Sequence, residues 1–408
     1  MPTGVFEMPP GKADFVRRLE GVLLDSFRRW GYQEVRTPAM EYLETMAQGL
    51  ESAELDMAFK LVDRPTGRMM VLRSDVTPQV ARMAALAMQD VPRPLRLCYV
   101  ADVYRYPGDP SHPRRELIQA GAELLGLDDP QADAEVVALA VDSLKSMGLA
   151  GIKISVGQAS YAKGLLKEAS LSKETEDLLV EAAGRKDVMQ MSIILDNARI
   201  HGPLGEAMQS LAHLRGDVKI LDKAQALSPN EECTRAVSNL RDVLSLIGSY
   251  GVEAETVQID LGELTSFRYH TGVVFSGYVS GAGRAVLKGG RYDNLAEKYG
   301  KPSPATGFAI DILELAEIVS KGGSEGNALD YLLVNRSGER ELGLKTANAL
   351  RKAGRKVLCL VRDMADDMLD SYAQAHRIGE ILLLDGEGRL NRLDKQTGDL
   401  TVCSLEEL

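Results

Sequence analysis

The hydrophobic period of this 408-residue chain changes twice, and that change limits its architecture more than any single motif. Up to residue 157 and again from 251, apolar runs of strand length dominate. Among them are RMMVLRSD (68–75), RPLRLCYVADVYRY (93–106), TVQIDLGEL (256–264), YHTGVVFSGYV (269–279) and GRAVLKGGRYDNL (283–295). Between them, 158–250 carries stretches rich in Ala, Leu, Glu and Lys with helical spacing, such as KETEDLLVEAAG and CTRAVSNLRDVLSLIGSYG. A chain that runs sheet, helices, sheet predicts a discontinuous domain, 1–157 with 251–322, carrying a helical insertion at 158–250. After the loop KGGSEG, residues 325–408 alternate DYLLVN, ELGLKTANALRKAG, KVLCLV, a second helix and EILLLD, which predicts a separate small β-α-β-α-β domain.

Local signals refine the sheet domain. Phe15, Leu19, Val22, Leu23, Phe27 and Trp30 recur at steps of three and four and predict a helix over 11–30 that stops at Gly31. YQEVRTPAMEYL reads as a strand interrupted at Pro38, and SGAG (280–283) as a hairpin turn. With 45% apolar residues the chain can bury a substantial core, and a formal charge of −11 argues against an extended nucleic-acid footprint. The start MPTGVFEMPPGKADF has no secretory pattern, and no run reaches the ~18 apolar residues a membrane helix needs. A cytoplasmic protein is expected. Cys98, Cys233, Cys359 and Cys403 are scattered, without CxxC pairs, so reduced and mostly buried thiols are expected. No GxxxxGK[ST], GxGxxG or HExxH is present, and the five histidines (112, 201, 213, 270, 376) are too dispersed to predict a metal site.

Two polar interruptions stand out. VLRSDVTPQVARMAAL (71–86) sets Arg73, Asp75, Thr77, Gln79 and Arg82 between apolar segments. In ELIQAGAELLG (116–126) one face reads Ile118, Ala120, Ala122, Leu124, and the other Leu117, Gln119, Gly121, Glu123, Leu125. The second face reads either as a ligand wall, an amide and a carboxylate flanking room over a glycine, or as a half-exposed strand with a glycine bulge. Pattern alone leaves both readings open.

In order and spacing, RTPAMEYLE, VLRSDVTPQVAR, VADVYRYPGDPSHPRRELIQAGAELLG, YHTGVVFSGYV, GGRYDNL and ATGFAIDILEL closely resemble the catalytic domain of histidyl-tRNA synthetases, over roughly residues 1–320. The resemblance implies an α+β fold of class II aminoacyl-tRNA synthetase type: an antiparallel sheet flanked by helices, with a helical insertion and a small C-terminal α/β domain like a shortened anticodon-binding domain. Asp75, Thr77, Gln119 and Glu123 match positions that hold the histidine ammonium and neighbouring groups in that family. Arg105 matches its second-motif arginine, and Tyr269 and His270 stand where it has paired tyrosines beside the imidazole.

The departures concern ATP and tRNA. The family's third motif supplies a Glu-Arg pair whose guanidinium stacks on adenine and meets phosphate; here Leu313 and Glu314 stand there, with Asp311 where a glycine is usual. A carboxylate in place of that arginine repels a nucleotide's charge. Pro107 replaces a glutamate that helps hold ATP, and Thr265 aligns with a catalytic arginine, with Arg268 close enough for a shifted register. Residues 325–408 hold 15 acidic and 12 basic side chains and only two aromatics, Tyr331 and Tyr372, a poor face for an RNA loop.

An amino-acid pocket kept without the ATP machinery resembles the synthetase paralogue of histidine biosynthesis, the regulatory subunit of ATP phosphoribosyltransferase. That resemblance implies no catalysis and no cofactor. It implies a homodimer, formed through the first motif, within a larger hetero-oligomer with short-form catalytic subunits, histidine as effector, and neither tRNA nor membrane as partner. The alternatives are a divergent histidyl-tRNA synthetase with a rebuilt ATP site, and a synthetase-like protein that binds another amino acid or serves only as a structural partner.

Overall fold

The computed structural model describes residues 1–50, 55–107, 113–263, 269–320, 328–360, 364–394, 397–405 and 407. They form two compact units, Met1–Glu7 with Val16–Lys321 and Met8–Phe15 with Gly322–Leu408.

Helix α1 (Pro10–Arg29) begins on a proline, whose missing N–H costs nothing in a first turn, and ends with Arg28 and Arg29 at the negative end of the helix dipole. Gly31, at φ +82°, reverses the chain. The buried stripe is Val16, Leu19, Glu20, Leu23, Ser26 and Phe27. Phe15, Val22 and Trp30, expected on that face, are half-buried at its margins. Trp30 lies past the last turn, where its indole N–H donates to Asp142 Oδ2 at 3.1 Å.

The first unit contains strands β1 (Gln33–Glu34), β2 (Met40–Tyr42), β3 (Lys60–Val62), β4 (Met69–Leu72), β5 (Leu95–Tyr104), β6 (Glu116–Leu125), β7 (Lys153–Gln158), β8 (Arg215–Gly216), β9 (Val257–Asp260), β10 (Val273–Tyr278), β11 (Leu287–Arg291) and β12 (Ala305–Asp311). Nine of them form a sheet in the order β1-β5-β6-β12-β11-β10-β7-β9-β8, and β2-β4-β3 form a small second sheet. From β5 through to β7 every neighbouring pair is antiparallel; the parallel pairs, β1 with β5 and β7 with β9, flank that core. Pro38 separates β1 from β2 and sends them to different sheets, and SGAG lies in the connection between β10 and β11.

Helices α2 (Leu43–Gly49), α3 (Thr77–Leu86) and α4 (Pro130–Ser146) precede the helical region; α4 is buried on nearly all sides. Helices α5 (Ala159–Ala169), α6 (Lys173–Gly184), α7 (Val188–Asn197), α8 (Gly202–Ser210), α9 (Ile220–Ala226) and α10 (Glu231–Ser249) then fill the path from β7 to β9. Because β7 and β9 are parallel neighbours, their connection has to cross over the sheet, and these helices are that crossover. Helix α11 (Ile312–Ser320) closes the unit.

Strand β6 is buried on both faces. Its even-numbered side meets α1, where Phe27 packs edge-on against Phe308 of β12 with ring centroids 5.8 Å apart. Its odd-numbered side lies under α3, in a core with Val76, Val80, Leu97 and Leu117. Pairing with β5 runs residue for residue from Leu95–Leu125 to Tyr104–Glu116. The half-exposed, bulged alternative is therefore excluded, because α3 covers the face that the pattern left open.

The second unit orders β13 (Leu329–Asn335), β14 (Val357–Cys359), β15 (Ile378–Leu384), β16 (Leu390–Leu393) and β17 (Leu400–Cys403) as β14-β13-β15-β16-β17. Helix α12 (Arg340–Lys352) places Ala347 and Leu350 against Leu333, Leu382 and Leu384 on one face. Helix α13 (Asp366–Ala375) places Leu369 and Ala373 against Leu332, Ile381 and Leu383 on the other. The antiparallel strands β16 and β17 extend the expected β-α-β-α-β unit. They are four residues each and read too short for strands in sequence. The loop KGGSEG lies outside the described residues.

Candidate functional site

Residues directly opposite one another in an antiparallel sheet share a face. On the α3 side, Glu123 of β6 is opposite Gly307 of β12, which is opposite Gly290 of β11. Gly121 is opposite Ala309, which is opposite Lys288, and Gln119 is opposite Asp311. The Glu123 carboxyl fills the space over Gly307 and the His270 ring the space over Gly290, and a cavity of about 630 Å3 opens on this face of the sheet. Asp75, Thr77, Arg105, Gln119, Glu123, Tyr269 and His270 all line this cavity.

The polar run 71–86 divides its labour. Arg73 donates to the carbonyls of Asp102 (2.6 Å) and Thr37 (2.8 Å), Gln79 donates to the Pro38 carbonyl at 2.9 Å, and Arg82 pairs with Glu41. These three tie α3 to the segment around Pro38. Asp75 and Thr77 stand at the start of α3, where Asp75 Oδ1 accepts the otherwise unsatisfied N–H of Thr77 at 2.8 Å. Gln119 Oε1 accepts from the Val76 N–H at 3.2 Å, and its Nε2 lies 3.5 Å from Asp75 Oδ2. Asp75 thus ties a turn and faces the cavity with the same carboxylate.

Glu123 is 1% exposed and collects three hydroxyls. Thr77 Oγ1 donates to Oε1 at 2.8 Å, the Tyr99 hydroxyl donates to the same oxygen at 3.4 Å, and the Tyr292 hydroxyl donates to Oε2. Burial pushes the Glu123 carboxyl up to about 8, against the lowering effect of the Tyr292 and Thr77 hydrogen bonds. Burial first, and then Glu123, hold the Tyr99 and Tyr292 phenols well above their ordinary value. The space over Gly121, read in sequence as room for a ligand, is filled by Tyr99: a Cβ on Gly121 would run into the phenol ring and stand 2.6 Å from the Phe308 carbonyl. A Cβ on Gly307 would collide with Glu123 Oε2, so that glycine leaves the carboxyl its place.

Tyr269 stacks on Tyr292 with centroids 5.4 Å apart and meets the His270 ring edge-on at 5.2 Å. Lys163 of α5 donates to the His270 carbonyl at 2.6 Å, so the helical region reaches the site. Arg105 follows β5 and is held through its backbone N–H to the Arg115 carbonyl at 3.0 Å. At the far wall Glu314 Oε2 accepts from Arg284 at 2.6 Å, and Asp311 Oδ1 accepts from the Leu313 and Glu314 N–H groups at 3.0 and 3.2 Å. Leu313 is buried. The third-motif substitutions thus build an ion pair and a helix start. Thr265 and Arg268 lie outside the described residues.

A family model described as histidyl-tRNA synthetase matches residues 4–315. The ATP phosphoribosyltransferase regulatory subunit of Geobacter sulfurreducens is 35% identical over 390 residues, which cover 95% of this chain and 89% of that protein. The regulatory subunit of Syntrophotalea carbinolica is 35% identical over 412 residues, covering 100% and 95%. The chain belongs to the family of ATP phosphoribosyltransferase regulatory subunits.

Solved structures agree with that family's class II synthetase-like fold. A Bacillus halodurans protein described as an ATP phosphoribosyltransferase regulatory subunit/histidyl-tRNA synthetase superposes with a TM-score of 0.82 at 27% identity, over 94% of this chain and 97% of that one. Histidyl-tRNA synthetase from a Nostoc species gives 0.83 at 20% identity over 100% and 98%, a likeness of fold alone. The homologues support a regulatory role in histidine biosynthesis. Within this regulatory-subunit family member, Tyr292 and Lys288 line the cavity and Tyr99 supports Glu123 from beneath, and sequence reading singled out none of the three. Tyr292 stands in the quoted GGRYDNL run, beside two glycines, and that was the available signal. Among the described residues, no group of three or more His, Cys, Asp or Glu side chains is placed to hold a metal ion, and no helix is long and apolar enough to cross a membrane. All four cysteines are free thiols, and burial pushes Cys98 and Cys233 up to about 12.

Proposed function

We propose that this chain is a non-catalytic regulatory subunit that binds and activates a short-form catalytic subunit of ATP phosphoribosyltransferase and senses histidine in the cavity over β6, β12 and β11. One observation supports the reading above all: seven residues chosen on sequence, spread from 75 to 270, line one cavity. Asp75, Thr77 and Gln119 offer acceptors for an ammonium, Glu123 meets the imidazole, and Tyr269 and His270 flank it. Arg105 supplies positive charge at the mouth. The sensing unit is the discontinuous 1–157 and 251–322 domain with its 158–250 insertion, and 325–408 serves docking or stability instead of tRNA binding. The chain works in the cytoplasm, as a homodimer within a hetero-oligomer that contains the catalytic chains. Feedback requires histidine to bind two states of that assembly with different affinity.

The test is the rate at which a short-form catalytic subunit from the same source converts ATP and phosphoribosyl pyrophosphate to phosphoribosyl-ATP and pyrophosphate, with and without this chain. Activation by the chain, reversed by histidine, is expected; in the Asp75→Ala chain activation persists and its reversal demands at least ten times more histidine. A rate indifferent to the chain would remove the proposal.

A further inference from the structure

The cavity holds a cation that the family resemblance does not account for. Lys288 rises from the middle of β11, on the same sheet face as Gln119, Gly121 and Glu123, directly opposite Ala309 of β12 and Ser276 of β10. No hydrogen bond or ion pair joins its ammonium to any described residue. Desolvation by the surrounding walls holds its pKa below the ordinary lysine value; Glu263 counteracts this, and Arg105 and Arg284 add to the lowering. Lys288 is the exposed residue of β11, so its ammonium is open to the cavity, beside two guanidinium groups and without a hydrogen-bonded partner among the described residues, and it can meet an anionic ligand there.

The rows of the sheet specify which anion fits. Lys288 lies two strands from Gly121, about 10 Å between backbones at the usual strand spacing. With Ala309 the only residue between it and Gly121 across β12, no large side chain of that strand stands between Lys288 and β6. Gln119 and Asp75 carry the acceptors proposed for an ammonium. An α-amino acid carries its carboxylate on the same carbon as its ammonium, so the two recognition groups must converge from opposite sides of a small gap. The Ala309 floor is that gap.

We propose that Lys288 binds the α-carboxylate of the amino acid held in this cavity, standing opposite Asp75 and Gln119. The assignment rests on the histidine-sensing reading and adds to it the group that distinguishes an amino acid from its amine or alcohol analogue. The ring then lies between Glu123 and His270, and the carboxylate turns toward β11.

The experiment is calorimetric titration of the full chain and of Lys288→Met with histidine, histidinol and inorganic phosphate. The unmodified chain is expected to bind histidine roughly 10- to 100-fold more tightly than histidinol, the range of a charge-assisted hydrogen bond. Lys288→Met is expected to lose that difference while keeping histidinol affinity and the thermal unfolding midpoint, and Lys288→Arg to restore most of it. An equal loss for both ligands, or a loss for neither, would overturn the assignment while leaving histidine sensing standing. Absence of histidine and histidinol binding to the unmodified chain would overturn both. Phosphate binding tighter than histidine, and abolished in Lys288→Met, would replace the carboxylate with a free phosphate.

Discussion

Glu123 carries the sharpest consequence of a single side chain's environment. In the unfolded chain its carboxyl ionises near 4.5, and in the fold it holds its proton up to about 8. Between those values the folded state binds more protons than the unfolded state, so this group lowers stability as pH rises, by at most about 1.4 kcal/mol per pH unit, and its effect levels off above 8. Denaturant unfolding at pH 5, 6.5 and 8 is expected to show Glu123→Gln losing several kcal/mol less than the parent across that window. Parallel pH profiles would mean that the carboxyl is ionised in the folded protein. The sequence showed Glu123 on a strand face with Gln119, but the hydroxyls of Thr77, Tyr99 and Tyr292 converge on it from three other elements. Nothing local to residues 116–126 specifies that.

Among the elements, β6 and β12 form the site by what they omit. Gly121 admits the Tyr99 ring, whose hydroxyl reaches Glu123, and Gly307 admits the Glu123 carboxyl. Gly121→Ala would set a methyl group against the phenol and the Phe308 carbonyl, neither of which can withdraw without disturbing the β5-β6-β12 ladder. A loss of about 1–3 kcal/mol in chemical denaturation is expected, together with weaker histidine binding. An unchanged midpoint would show that Tyr99 can leave the floor freely. The strand itself was legible from its run of apolar residues and small side chains. Which of its faces had cover was not, because period-two alternation assigns residues to faces without naming what packs on them. Helix α3, forty residues earlier, supplies that cover, held by Arg73, Gln79 and Arg82.

At the level of the molecule, a synthetase-like fold is joined to a cavity whose far wall no longer offers a nucleotide an unpaired cation at position 314. Glu314 occupies that place and is paired with Arg284. Histidine-dependent exchange of labelled pyrophosphate into ATP is therefore expected to stay at background with this chain. Exchange at a synthetase's rate would favour the divergent-enzyme reading and remove the non-catalytic one. The order of motifs, the interruption of strand patterns by helical ones and the loss of the third-motif arginine were all readable from the chain, because each is a statement about residue type and local period. The meeting of Asp75, Gln119, Glu123, His270 and Lys288 around one floor was not. It depends on the register of β12 on β11 and of β6 on β12, the second set by hydrogen bonds between strands nearly two hundred residues apart. A lysine in the run AVLKGG has no local mark to tell it from a solvated one; it becomes part of a site only when the sheet puts an alanine between it and Gly121.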